Sequence, residues 1–280
     1  MMSTDSVVLS LYFETPLHAP SGSVVGTIEQ PVQRERTTQW PVIYASTLES
    51  SLRTSFMQTA GEQAAKALFG DDNGGGLSIS DARLLLFPVR SSAAPFLWLT
   101  CPAVVSRLRR DLGRTVGIQI PPAPSVKTDE IVTSQAWSHG DSPLAADDIV
   151  LKPRAGYDAS KLMALLPSDS SAYDVFAKEV EASFGLVSDE VFGFLVRTGT
   201  EVRVIDGVLG DEGNPCYDEA IPADSLFYVP IIGIGTKEAK ATALTRFAEG
   251  CGTHVRVGNG EPIGRGWART RLLKAEGSAQ

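Results

Sequence analysis

The sequence predicts an α+β layer fold, and three observations predict it. The chain opens on a strand and follows it with a helix, and it closes on a helix followed by a strand. Between these ends a second strand, a long insertion and further strand material intervene. The regular alternation of a parallel, doubly wound sheet is absent from that order.

The elements justify themselves in turn. Val7–Phe13 (VVLSLYF) is β-branched and aromatic, as a strand requires, and Pro16 opens a long turn-rich segment after it. Ser46-Thr47-Leu48-Glu49 reads as a capping box with Ser46 at the N-cap, and Leu48, Leu52 and Phe56 then fall on one helical face. Gly61 lies just past the expected end of that helix. Asp71–Gly76 (DDNGGG) carries three consecutive glycines and reads as a loop. Ala82–Val89 resumes strand character, with Arg83 and Arg90 near its ends. Pro121–Lys127 (PPAPSVK) breaks any helix and marks a linker or an insertion boundary. Tyr173–Phe184 suits a half-buried helix through Val175, Phe176, Val180 and Phe184, with Gly185 as its stop. Glu201–Ile205 alternates as a strand or hairpin arm would. Asp206-Gly207 and Gly210–Pro215 supply turn chemistry, and Ala220–Ile232 returns as apolar strand. A last helix over Lys237–Glu249 turns Leu244 and Phe247 inward and ends at Gly250. A short strand, His254–Val257, leads into a glycine-rich loop.

Composition sets the outer bounds. Of 280 residues, 43% are hydrophobic and 21% charged, which excludes a wholly disordered chain. The formal net charge of −8 argues against a phosphate-rich partner until the chain is divided. Residues 128–225 hold six bases and nineteen acids. Residues 61–127 and 226–280 hold eight bases each, against five and four acids. A binding face for an anion would therefore be built from the flanking parts. No run approaches the roughly 18 apolar residues that would span a membrane, so no membrane partner is expected. Cys101, Cys216 and Cys251 are odd in number and scattered, which fits a reducing cytoplasm. His18, His139 and His254 show no ligand spacing, so a structural metal is not expected.

Three segments carry candidate chemistry. In the first, Gly258, Gly260, Gly264 and Gly266 let backbone amides approach a ligand, with Arg256, Arg265, Arg269 and Arg271 around them. That is the composition of an anion-binding nest, although a loop that merely turns between two strands would look the same. The second, residues 15–36, combines His18, small residues at Ser21-Gly22-Ser23, Gly26, the carboxylate of Glu29 and the guanidinium groups of Arg34 and Arg36. Such a loop would position a metal or orient a phosphodiester, or simply pair its own charges in solvent. His18, following a proline turn's start, reads as a surface residue. The third, Leu195–Tyr217, is a candidate protruding hairpin bearing Arg197 and Arg203.

Several blocks also carry a specific likeness. TPLHAPSGSVVGTIEQPVQRE, followed by Pro-Val-Ile and a helix ending in SLR, resembles the N-terminal signature of the RAMP superfamily. Within it, these residues resemble the repeated backbone subunit of the type III-B CRISPR (Cmr) effector. LFGDDNGGGLSISDARLLLFPVRS, VSDEVFGFLV, CYDEAIPADSLFYVPI and VRVGNGEPIGRGWAR resemble that family's later blocks in the same order. The resemblance covers nearly the whole chain and is weakest at about 115–150.

What this resemblance implies is an RRM-like (ferredoxin-like) βαββαβ core with insertions including a thumb β-hairpin. A single RAMP domain would fill residues 1–280, with a helical or irregular insertion at about 100–185 and the thumb at about 195–220. Copies would stack head to tail along CRISPR RNA beside other type III effector subunits. Each would hold guide phosphates, while the thumb interrupts the duplex with complementary target RNA. The implied guide contacts are Arg53 and the Gly258–Trp267 loop, including Arg256, Gly264, Arg265, Gly266 and Trp267, with Arg34 and Arg36 next. Arg197 and Arg203 map to the thumb. The family places an aspartate, used in metal-dependent target RNA cleavage, two residues before the Pro-x-Gln-Arg-Glu run. Here that position is Glu29, the implied catalytic and metal-binding carboxylate, with His18 as an accessory. If cleavage is retained, the implied cofactor is a divalent ion, Mg²⁺. The extra methylene of glutamate would cost a geometry-sensitive step about 10²-fold or more. Glu49 also stands where the family commonly has a basic guide contact. The alternatives are a purely structural guide-binding subunit without cleavage, or the equivalent backbone subunit of a type III-A complex.

Overall fold

The computed structural model describes residues 5–22, 28–70, 74–205 and 216–274. Strand β1 (Ser6–Phe13) leads through a long loop to β2 (Val42–Ile43) and helix α1 (Ala45–Thr59). Helix α2 (Glu62–Phe69), β3 (Leu77–Ile79) and β4 (Ala82–Arg90) follow. The middle of the chain forms β5 (Phe96–Thr100), α3 (Pro102–Thr115), β6 (Glu130–Ser134), β7 (Leu144–Ala146) and β8 (Ile149–Tyr157). It continues with α4 (Ser160–Met163), α5 (Ser171–Ala182), β9 (Phe184–Leu186) and α6 (Asp189–Thr198). β10 (Glu201–Ile205) pairs antiparallel with β11 (Cys216–Ala220), and β12 (Leu226–Gly233), α7 (Lys237–Gly250), β13 (His254–Arg256) and β14 (Trp267–Lys274) complete the chain.

The strand order β14-β1-β12-β4, antiparallel throughout, with α1 after β1 and α7 after β12, is the βαββαβ ferredoxin-like core. All eight residues of β1 are buried, which requires cover on both faces of the sheet. One face receives α1, α2 and α7 through Phe56, Phe69 and Phe247, whose rings lie 5.3–6.4 Å apart. The opposite face is covered by α3 and the segment after α4. Ser6 Oγ donates to Thr115 O at 2.9 Å, and Ser10 Oγ to Leu165 O at 2.5 Å. The sheet surface that an uncovered ferredoxin-like domain would offer is therefore largely filled by protein, which leaves loops, edges and the ends of the sheet for a ligand. Each large apolar side chain buried here contributes roughly 1.5–3 kcal/mol.

Between β4 and β12 the insertion extends the same sheet. β5 pairs antiparallel with β4, β9 parallel with β5, and β6, β8 and β7 follow outward. The segment at about 100–185, expected to be helical or irregular, thus also carries strands β6 to β9, because Ile131, Val132 and Leu151 bury at the extended sheet.

Other expectations need correction. Ser46 is not an N-cap: α1 begins at Ala45 after an extended Tyr44, and Asp81 Oδ1 accepts from Ala45 N at 2.8 Å. Glu49 instead pairs with Arg53 one turn on, at 3.3 Å. A cap can come from a residue remote in sequence, which no local motif reveals. Phe184 and Gly185 lie in β9, not at a helix end. A Cβ at Gly185 would overlap the Ile131 side chain, so the glycine serves close strand packing. Arg197 belongs to the last turn of α6 and not to a hairpin arm. The turn residues Asp206-Gly207 and Gly210–Pro215, the loop residues Ser23 and Gly26, and Asp71–Asn73 lie outside the described residues.

Candidate nucleic-acid interface

The three segments singled out in the sequence form one hydrogen-bonded unit. Backbone pairing joins Leu17 to Ile221 in both directions at 2.8 Å, at the foot of the β10–β11 hairpin. Asn259 N donates to His18 O at 2.8 Å, and Gly266 N donates to Pro16 O at 2.9 Å. Gln30 lies beside Asp218 in a parallel bridge, with Glu219 N donating to Gln30 O at 3.0 Å. The 15–36 loop is therefore held between the hairpin and the glycine-rich loop.

The glycines explain how the glycine-rich loop comes so close. Gly258 and Gly266 have φ of +76° and +79°, and a Cβ at either would overlap a carbonyl oxygen, of His18 and Val257 respectively. Gly264 has a similar φ of +73° but faces open space. The left-handed backbone is thus a packing requirement at two positions and a turn requirement at the third. The loop runs between strands β13 and β14, with a short 3₁₀ turn at Glu261–Ile263, so it is not the start of a helix.

Buried charge fastens the unit. Arg265 is 4% exposed and forms an ion pair with Asp218, itself 5% exposed. This moves Arg265 from the outward-facing contact expected of it to an internal latch. Glu219, 4% exposed, accepts from Val32 N at 2.9 Å, Arg34 Nη2 at 2.5 Å and Thr200 Oγ1 at 2.6 Å. Arg34 spends its other terminal nitrogen on the carbonyls of Gln39 and Val196. His18 is buried, contrary to the surface position expected of it. Its Nδ1 donates to Glu219 O at 2.7 Å, and Nε2 lies 3.2 Å from the Gln30 side-chain amide. Asp218 and Glu219 were not legible as organisers of the site. Their only sequence signal is a pair of acids inside an otherwise apolar strand, where a carboxylate needs a partner.

Glu29 is half-buried, and its Oε2 accepts from Tyr217 N at 2.7 Å, tying the loop to the hairpin arm. The neighbouring carboxylates are already committed to Arg265, Arg34 and backbone donors. Among the described residues no three His, Cys, Asp or Glu side chains gather as a metal site.

The remaining residues are distributed differently. Arg36 is exposed and makes no side-chain bond among the described residues. Trp267 is 42% exposed, with its backbone N donating to Thr15 Oγ1 at 3.0 Å. Arg256 Nη1 donates to Gly258 O at 3.0 Å. Arg197 and Arg203 are bonded locally, to Gly193 O at 2.9 Å and Glu201 at 2.6 Å. Arg53 stands apart on α1, donating to Phe69 O and Gly70 O at 2.7 and 2.8 Å, where it closes the C-terminus of α2.

Comparison with known proteins follows the same boundaries. The family model of the RAMP superfamily matches residues 10–269. The chain is 28% identical to the CRISPR system Cmr endoribonuclease Cmr4 of Pyrococcus furiosus over 285 residues, 95% of each chain. Its fold is similar to that of oligomeric Cmr4 from the same organism, with a TM-score of 0.78 at 24% identity, covering 97% of this chain and 99% of that one. It is also similar to a chain of the type III-B Cmr-beta complex bound to cognate target RNA. There the TM-score is 0.70 at 17% identity, over 95% of this chain and 96% of that one.

Proposed function

This chain belongs to the RAMP superfamily, and from that membership we propose that it is a guide-RNA-binding backbone subunit of a type III-B CRISPR effector. It holds CRISPR RNA, stacks with further copies of itself and with other effector subunits, and positions complementary target RNA. One observation carries this reading: the three segments that the family assigns to guide and target RNA form a single hydrogen-bonded unit on loops outside the covered sheet. Within it Arg36 is the exposed cation, Gly264 turns toward open space and Trp267 is the exposed ring. Buried Arg265 and Arg34 hold the loops that present them. Phosphate contacts of this kind position a strand without reading its bases, which suits a subunit whose specificity comes from guide pairing. The test is guide binding by the assembled complex across guides of different sequence. Arg36→Ala and Trp267→Ala should weaken binding to every guide alike and leave thermal unfolding unchanged. Binding that depends on guide sequence would sink the reading.

Target cleavage is a separate and finer proposal, and it rests on Glu29. Its carboxylate joins the 15–36 loop to the hairpin arm, where target RNA would be interrupted. The assembled complex is incubated with complementary RNA and Mg²⁺, comparing wild type with Glu29→Ala. Regularly spaced products that vanish in the variant support cleavage. Target that stays bound and uncut by wild type supports the purely structural subunit.

A further inference from the structure

A second cluster of arginines lies away from the loop junction, in a cavity of about 390 Å³ between the end of α3 and one end of the sheet. Its wall carries Arg83 from β4, Arg110 and Arg114 from α3, and Ser80 from the turn before β4. Asp111 is the organising group. It is 8% exposed, accepts from Tyr228 Oη at 3.0 Å and from Arg110 Nε at 3.0 Å, and is ion-paired with Arg83. A single buried carboxylate thus orients two guanidinium groups whose remaining N–H donors are not consumed by it. Arg114 lies one turn beyond Arg110 on the same face of α3 and makes no hydrogen bond or ion pair among the described residues. The other carboxylate of the cavity, Asp5, already pairs with Lys240 at 3.3 Å.

Cations therefore outnumber carboxylates around a concave space, in a chain whose net charge is −8. Two of the guanidinium forks are held in place before any ligand arrives, which reduces what ordering them would cost. Planar forks of this kind match the oxygens of a phosphate group, and the Ser80 hydroxyl adds a neutral donor. We propose that this cavity is a phosphate-binding site, taking the phosphate of a mononucleotide or of an RNA strand. It shares no residue with the glycine-loop junction, so the failure of either proposal leaves the other standing.

The test titrates the full chain with inorganic pyrophosphate at low salt by calorimetry. Arg114→Ala should weaken binding at least about tenfold, as loss of one charge-assisted fork implies. In the Arg36→Ala background, which removes the exposed cation of the loop junction, Arg110→Ala combined with Arg114→Ala should abolish it, and Lys178→Ala on the exposed side of α5 should leave it unchanged. Arg114 is paired with nothing among the described residues, so its single variant carries the test even if the double variant unfolds. Competition in the Arg36→Ala background separates the sources. Displacement of pyrophosphate by AMP alone assigns a mononucleotide phosphate, and displacement by a short 5′-hydroxyl RNA as well assigns a strand. Absence of pyrophosphate binding by wild type, or binding that survives Arg114→Ala undiminished, overturns the proposal. So does a change in self-association on Arg114→Glu without any phosphate binding, because the arginines would then serve a protein contact.

Discussion

The loop junction and the α3 cavity both set arginines against carboxylates, with opposite results. At the junction Arg265 and Asp218 are buried together, and Arg34 divides its donors among Glu219 and two carbonyls. Those guanidinium groups bond inside the protein, where they hold three loops in register. In the cavity Arg83 and Arg110 share the single carboxylate of Asp111, and Arg114 has none among the described residues. Counting arginines does not separate a latch from a contact. The number of carboxylates per guanidinium, and the burial of the pair, does.

Several substitutions would break or sharpen that contrast. The largest effect is expected from Asp218→Ala, which leaves the Arg265 charge buried and unpaired. Breaking one side of such a pair costs about 3–5 kcal/mol, readable as a lower urea midpoint. Replacing both members with Arg265→Met and Asp218→Leu should recover most of that loss. An unchanged midpoint in the single variant would show that the pair is not a latch. Next, Gly266→Ala and Gly264→Ala share nearly the same φ but differ in space. Gly264→Ala should cost about 1–2 kcal/mol for its left-handed backbone. Gly266→Ala should cost clearly more, because its Cβ meets the Val257 carbonyl. Equal losses would mean that the close approach at Gly266 is unimportant. Glu219→Gln should then cost about 1–3 kcal/mol in thermal unfolding, since a neutral amide cannot serve Arg34, Thr200 and Val32 N as the carboxylate does. The smallest effect belongs to Arg114→Ala. Stability should stay within about 0.5 kcal/mol while pyrophosphate binding falls, which is the mark of a contact and not of a latch.

The core was legible because its signals are local. Leu48, Leu52 and Phe56 on one face of α1, and Leu244 and Phe247 on α7, are buried as their spacing requires. The run Val7–Phe13 became an inner strand of the four-stranded core, although its apolar character alone does not reveal that both its faces are covered. The capping box failed because Asp81, thirty-six residues away, caps α1 from across the fold. Gly185 misled for a related reason: a glycine that ends a helix and one that admits Ile131 against a strand look alike in one dimension. The candidate site divided in the same way. Its three segments were each visible as unusual composition, but their union depends on hydrogen bonds spanning some two hundred residues, such as that from His18 to Glu219. The α3 cavity was not visible at all, since Arg83 and Arg110 meet only through Asp111.

The net charge offers the same lesson at the scale of the whole chain. The sum of −8 spoke against a phosphate partner, and its division along the chain removed that objection. By itself, the sequence determined what nearest neighbours decide: the periodicity of strands and helices, the glycines that free the backbone, and the thirds in which bases gather. Only the tertiary structure decided which of those bases face outward. A guanidinium's role depends on whether the fold gives it a carboxylate and removes the pair from water, and both conditions come from residues far apart in the chain.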